Sequence, residues 1–268
     1  MLAPRKKACS AIYLSISSLC KAEMKLEVLI PVRNGEKFLE DLFDTLANQT
    51  FTDFCVSVCN DASTDRTVEI LRKESRFPLK FFSNLTAQGA ATSRNQLLDN
   101  ISESEYIAFV DADDLCHPDR FRDQIRFLET NVNIGVLGSW MSCINESNRP
   151  LGVLKYPTSH AQIKYELTIG CALAQPSVMA RSHYFKGDQS YRYKTDYLSE
   201  DYELWCRMIH HVGFANLPKT LTTYRRHPDA ICIAQKAEIL DSIYCVRLDY
   251  LRSFPELASI CSSEASLS

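Results

Sequence analysis

The chain has 268 residues, a formal net charge of −3 and a pI near 6.1. Hydrophobic residues make up 46% and charged residues 24%, the balance of an ordinary globular protein long enough for one large α/β domain or two small ones. The slightly acidic total provides no electrostatic footprint for nucleic acid as the main partner.

At the start, Arg5, Lys6 and Lys7 precede a mildly apolar run from Ala8 to Cys20, which resembles the front of a signal peptide. The run is Ser-rich, too short to span a bilayer and without a clear small-residue cleavage pattern. Residues 1–24 are therefore expected to be a disordered extension or a misassigned start, with the folded domain beginning near Met24. No other stretch reads as a transmembrane helix. The 11 cysteines contain no CxxC pair. Cys55 and Cys59 share an expected strand, roughly 13 Å apart in extended chain, too far for a disulfide. The cysteines are read as reduced, mostly buried thiols of a cytosolic protein rather than as zinc ligands.

Leu26–Val32 is a compact apolar strand. Phe38, Leu39, Leu42, Phe43 and Leu46 then place one apolar face on a helix over Glu36–Asn48. A second strand follows over Phe54–Cys59. Ser63 is a candidate cap for a helix starting at Thr64, with Asp65 in its first turn. Leu79–Phe82 reads as a strand, Ala91–Ile101 as a helix and Glu105–Val110 as a strand. Pro118 suits the first turn of a helix carrying Phe121, Ile125 and Leu128. This alternation predicts a doubly wound, mostly parallel sheet. Further on, Ile134–Trp140 is a strand, Ser199–Val212 a helix and Ile233–Leu251 a long helix. No boundary separates two independently folding halves.

In open α/β sheets ligands bind at the carboxyl ends of the strands. Three polar clusters fall there: Pro31 to Gly35, Asn60 to Asp65, and Asp111-Ala112-Asp113-Asp114. If the last is extended, Asp111 and Asp113 project to one side and repel, raising each other's pKa. A hard divalent cation would relieve that repulsion. Taken alone, an acidic turn ahead of a helix is the more common explanation.

The stretch from Leu26 to about Ile125 resembles the nucleotide-binding half of family 2 glycosyltransferases, which have the GT-A fold. Five ordered motifs carry the resemblance: Leu29 to Asn34, Leu46 to Phe51, Asn60 to Asp65, Gly89 to Arg94-Asn95, and Tyr106 to Asp114. Looser similarity continues through Gln175 to Met179, Ser199 to Trp205, and Tyr224 to Pro228. The resemblance implies that Asp111, Ala112 and Asp113 form the DxD element, with Asp113 on a Mn2+ or Mg2+ ion and Asp111 near the donor ribose or the metal. It implies that Asp61 faces a nucleobase, typically uracil. Pro31 and Arg33 would line the nucleotide pocket, and Arg94 would help hold the donor. His227 is a further candidate metal ligand. Glu200 and Gln175 are expected on the acceptor side, and Asp201 is the expected general base, its ionised form favoured by the helix dipole. Tyr202 is a candidate sugar-stacking side chain, whereas Trp205 reads as core. Arg225 and Arg226 suit either a phosphate or a solvated charged pair. Three departures stand out: Asn60 and Ala62 occupy positions where relatives carry an acid and a glycine, and Arg33 replaces a frequent tyrosine, which suits it also to a phosphate contact or to a solvated position.

The expectation is an inverting, hexosyltransferase-like enzyme acting on a nucleotide-sugar, with UDP the expected nucleotide. Its acceptor would be a saccharide or lipid-linked saccharide, as in cell-surface polysaccharide or lipopolysaccharide synthesis. Residues 25–229 would form the catalytic domain, 25–130 as the donor half and 131–229 as the acceptor half, followed by a helical segment over 230–268. The protein would be cytoplasmic. A lipid-linked acceptor would bring peripheral contact with the inner face of the membrane, through residues 1–24 or a basic, apolar C-terminal helix. The rivals are a nucleotidyltransferase making a nucleotide-sugar, a dinucleotide-binding oxidoreductase and a non-catalytic nucleotide-sugar-binding protein. No Gly-rich basic loop or GxGxxG follows Leu26–Val32 to favour the first two.

Overall fold

The computed structural model describes residues 11–14, 24–228, 230 and 234–255. The rest of the expected N-terminal extension and of the C-terminal segment lies outside the described residues. Inside the extension, β1 (Ala11–Leu14) pairs antiparallel with β4 (Leu79–Asn84), so this piece is strand rather than disordered chain. The physical reason is the free edge of β4, whose unpaired backbone groups are a ready template for another strand.

The strands β2 (Leu26–Val32), β3 (Phe54–Asn60), β4 and β5 (Tyr106–Phe109) form a parallel block in the order β4-β3-β2-β5. β9 (Met179–Arg181) runs antiparallel to both β5 and β7 (Ile134–Asn145), so β7 points the same way as β5. β10 (Gly213–Arg226) lies parallel to β7. Every long strand therefore points in one direction, and the mostly parallel sheet continues through both halves of the chain. β6 (Leu115–Cys116) and β8 (Pro150–Leu154) are short antiparallel additions on β10 and β7.

Helices cover both faces. Leu39, Leu42, Phe43 and Leu46 of α1 (Leu39–Ala47), Leu71 of α2 (Thr67–Lys73) and Phe121, Ile125 and Leu128 of α4 (Arg120–Thr130) share one core. The second core takes Leu97 and Leu98 of α3 (Ala90–Asp99), Ile163 of α5 (His160–Glu166), Trp205 and Met208 of α6 (Glu200–Met208), and Val246 and Tyr250 of α7 (Lys236–Arg252). Burying an aliphatic or aromatic side chain of this kind contributes about 1.5–3 kcal/mol relative to exposure. α7 carries Lys236, Arg247 and Arg252 against Glu238, Asp241 and Asp249, so the described helix is neutral rather than basic. Among the described residues no helix is long and apolar enough to cross a membrane.

The helix expected from Thr64 begins at Thr67 instead. Ser63 does not cap it: its hydroxyl accepts the Asn34 amide at 2.8 Å. The N-cap, Arg66, has no side-chain cap, and Asp65 just before it accepts the Thr67 amide at 3.0 Å. The loops after β2 and β3 are knitted together. The Thr64 amide donates to Asn34 Oδ1 at 2.9 Å, that of Gly35 to Thr67 Oγ1 at 2.8 Å and that of Glu36 to Asp65 Oδ2 at 3.0 Å. Gly35 is required by space, because a Cβ there would come 2.5 Å from Val32 Cγ2.

Ala62 has φ +54°, a left-handed conformation that costs a residue with a Cβ about 1 kcal/mol. Ala62→Gly should therefore stabilise the fold by about 1 kcal/mol, raising the melting midpoint by roughly 2–4 °C. A lower midpoint in a thermal melt would contradict a strained turn.

Candidate active site

Because β2, β3, β5 and β10 are parallel, the residues that follow them emerge at one edge. α6 begins at that edge too, since it leads back into β10. Asp61, Asp111, Asp113, His227, Glu200 and Asp201 are gathered there although they span most of the sequence.

Arg94, buried on α3, joins two parts of this edge. Its guanidinium donates to Asp111 Oδ1 at 2.8 Å and also to Glu200 Oε1, tying the end of β5 to the first turn of α6. Burial opposes its charge, but the Asp111 and Glu200 carboxylates outweigh that and keep it a firm cation. The ring of Tyr193 lies beneath it, 5.8 Å from the guanidinium carbon. The Tyr193 hydroxyl accepts from Gln175 Nε2 at 2.6 Å, so Gln175 is buried behind Arg94, and its Oε1 has no described partner.

Asp111 and Asp113 are not on an extended strand. β5 ends at Phe109, and the Asp114 amide closes a turn on the Asp111 carbonyl at 3.2 Å. The two carboxylates take different partners, Asp111 with Arg94 and Asp113 Oδ2 with His227 Nε2 at 2.8 Å. They still feel each other: burial, then Asp111, raise the Asp113 pKa against the pull of His227. His227 is buried against Phe38, and its Nδ1 has no described partner.

Asp201 lies in the first turn of α6, where the Tyr202 amide donates to its Oδ1 at 2.7 Å. Burial, with the Glu200 charge beside it, pushes its carboxyl up to about 7, against the pull of Arg94. The helix dipole does not win here: removal from water costs the ionised form more than one helix end returns. Cys171 Sγ lies 4.0 Å from Asp201 Oδ2, its thiol held protonated by burial and by that carboxylate.

Asp61 is buried. It accepts the Asn84 amide group and the Gln88 backbone N–H at 2.8 Å on Oδ1, and the Gly89 N–H at 2.9 Å on Oδ2. It thereby shapes the turn into α3, where Gly89 has φ +88°. Asn60 is also used internally, donating to Ser83 Oγ at 3.0 Å and accepting the Ser63 amide at 3.2 Å. Pro31 is half-buried, Arg33 exposed and Ala112 half-buried.

Two readings change. Arg225 is neither solvated nor open to a phosphate: buried, it donates to the Asp113 carbonyl at 3.1 Å, Asn148 at 2.6 Å and Asp41 at 2.9 Å. Tyr202 is buried with its hydroxyl on the Leu167 carbonyl at 2.5 Å, so it has no face to offer a sugar. The described cysteines are mostly buried, as expected, with Cys171 half-buried and Cys245 exposed. Sequence reasoning also passed over Asp114. Its carboxylate accepts the Arg225 amide at 3.0 Å and is raised well above the usual range by burial and by Asp113 and Asp111. A third acid in a short acidic run was the available signal.

The sequence profile of Glycosyl transferase family 2 matches residues 27–205. The chain belongs to this family. An uncharacterized glycosyltransferase of Methanocaldococcus jannaschii is 30% identical over 188 residues, 68% of this chain and 63% of that protein. The chain thus spans less than two thirds of that relative's length. The poly(ribitol-phosphate) beta-N-acetylglucosaminyltransferase TarS of Staphylococcus aureus is 31% identical over 135 residues, 49% of this chain and 23% of that protein. The crystal structure of TarS residues 1–349 in complex with UDP-GlcNAc superimposes with a TM-score of 0.69 at 22% identity, over 87% of this chain and 68% of that one. The Pyrobaculum calidifontis mannosyltransferase PcManGT, solved with GDP-mannose and Mn2+, gives 0.58 at 14% identity, over 91% and 80%. At these identities the likeness is one of fold, and the fold of this family 2 member is GT-A.

Proposed function

We propose that this family member transfers a sugar from a UDP-linked donor to the hydroxyl of a saccharide or lipid-linked saccharide, with inversion at the anomeric carbon. The observation that carries the reading is the Arg94 bridge. It draws Asp111, after β5, to Glu200, in the first turn of α6, and so brings the expected donor side and the expected base to one edge. Residues 25–229 act as the catalytic unit, with 25–130 holding the donor and 131–229 the acceptor.

The residues present fit a divalent cation. Asp113 Oδ2 and His227 Nε2 are 2.8 Å apart, near the roughly 3 Å between neighbouring ligands of an octahedral ion with bonds of about 2.1 Å. Among the described residues no three His, Cys, Asp or Glu side chains form a metal-holding group. Such a two-ligand site suits Mg2+ or Mn2+ completed by diphosphate oxygens, and the imidazole favours Mn2+. When bound, the cation supplies neutralisation of the charge that develops on the diphosphate.

The side chains do the rest. Asp61 offers its remaining lone pair to the base, with Pro31 and Arg33 lining the nucleotide pocket. Asp111 and Ala112 lie along the ribose, and Arg94 fixes Asp111. Asp201 takes the proton of the acceptor hydroxyl as its oxygen bonds to the anomeric carbon. The bond to the diphosphate oxygen breaks on the opposite face, and its electron pair leaves with the nucleotide. A base whose pKa lies near 7 has the strength for this at neutral pH while still being ionised.

The test is a thermal melt with UDP-GlcNAc, UDP-glucose or GDP-mannose, each with Mn2+ or with a chelator. At about 100 times Kd a ligand adds about 2.7 kcal/mol, a rise of roughly 5–10 °C. A rise with one UDP-sugar that disappears with chelator is expected. No rise with any of the three would end the donor reading.

A further inference from the structure

Along α5 lies an open groove of about 620 Å³ whose walls include Tyr156, Thr158, Gln162, Tyr165 and Glu166. It is a built feature. Its floor is fastened to β10, with Asn216 Nδ2 donating to the Pro157 carbonyl at 2.7 Å and the Asn216 amide to that of Thr158 at 3.2 Å. The Trp140 indole N–H donates to the Tyr156 carbonyl at 2.9 Å, which fixes the segment entering it. The other wall is α5, whose start is set by a capping box between Ser159 and Gln162.

The groove adjoins the chain segment that packs on the start of α6. Just beyond α5 the Leu167 carbonyl is held by the Tyr202 hydroxyl at 2.5 Å, and Tyr202 follows Asp201 directly. Cys171, on the same segment, is the thiol 4.0 Å from Asp201 Oδ2. Tyr156 is close enough for Cys171, Cys143 and Asp201 to add to the burial that raises its phenol pKa.

The lining chemistry selects the occupant. Tyr165 stands 68% exposed on the wall, a large aromatic face left in water. Tyrosine combines an apolar face with a polar tip, and here it is interleaved with a hydroxyl, an amide and a carboxylate. That combination matches a pyranose, which has a C–H face and a rim of hydroxyls. Glu166 is the one charged group among the lining residues, and it would repel a phosphate-rich chain. We infer that this groove is the acceptor subsite and that it takes a neutral saccharide, with Tyr165 as the stacking platform and Tyr156 at the end nearest Asp201. The inference rests on the transferase reading for its link to catalysis, but the binding can be measured separately.

The test uses the full chain with Mn2+ and UDP, to which chitotetraose, cellotetraose, maltotetraose or inorganic polyphosphate is added at 10 mM. Hydrogen exchange reports where each probe binds, and titration reports its Kd. At least one neutral tetrasaccharide should slow exchange over residues 154–169. Tyr165→Ala should weaken that binding about tenfold while leaving the UDP-sugar melting shift unchanged. Protection by polyphosphate alone, protection by no saccharide, or equal saccharide affinity in Tyr165→Ala overturns the inference. Circular dichroism checks that the exposed substitution leaves the fold intact. Saccharide protection without any UDP-sugar shift would instead count against the donor reading and leave the groove standing.

Discussion

Asp201→Asn is expected to lower the transfer rate by about 10²–10⁴, the usual contribution of a positioned general base. Asparagine keeps the size and the acceptor oxygen for the Tyr202 amide, so the UDP-sugar melting shift should stay as in the parent. The pH profile gives a second readout. In the parent, kcat/KM should fall as pH drops below about 7, where Asp201 takes up its proton; in Asp201→Asn that limb should be gone. Stability should move the other way. The folded pKa is raised above the unfolded value near 3.8, so the stability gained from binding that proton is fully present below about pH 4. It is lost as pH rises through 7. Asp201→Asn escapes that loss and should melt higher than the parent at pH 8. Near-parental transfer in the variant would remove Asp201 from the reaction.

Arg94→Ala should be the most damaging substitution to the fold among the site residues. It leaves Glu200 and Asp111 facing each other at the buried edge with no cation between them. Breaking a buried ion pair from one side costs about 3–5 kcal/mol, a fall of roughly 10 °C in the melting midpoint of a chain this long. Activity should fall with it for a separate reason. Arg94 holds the Asp201 pKa down, so its loss should carry the acid limb of the pH profile to higher pH. Arg94→Lys distinguishes the two effects. It restores a charge but not the two-pronged geometry, so the limb should return toward 7 while part of the stability loss remains. An unchanged limb in Arg94→Ala would mean that Arg94 acts on the fold alone.

The first half of the architecture was legible because each element there carries its own signal. The runs at Leu26 and Phe54 are apolar on both faces, as a strand covered by helices requires. Leu39, Leu42, Phe43 and Leu46 repeat at helical spacing. The second half was harder. β10 reads as Gly213–Arg226, with Asn216, Pro218 and Lys219 interrupting any alternation, and its register against β7 shifts between Gly213 and Phe214, between Leu217 and Thr220 and between Thr220 and Thr222. A strand whose pairing is irregular leaves no period in the sequence. β9 has three residues and β6 two, too few to show a pattern at all.

At the candidate site the same division holds. The family, the GT-A fold and the identity of the candidate acids follow from ordered motifs, since residue type and spacing persist in the chain before it folds. Which acids are paired, and which are pushed toward protonation, was decided by the tertiary structure. Arg94, Asp111 and Glu200 meet only because α3, β5 and α6 converge at one edge. Asp201 could be named from the sequence as a carboxylate in a first turn, where a helix end would favour its charge. Its pKa near 7 arises instead from burial beside Glu200. Desolvation and Coulomb interaction act through space, across chain segments that the linear order keeps far apart.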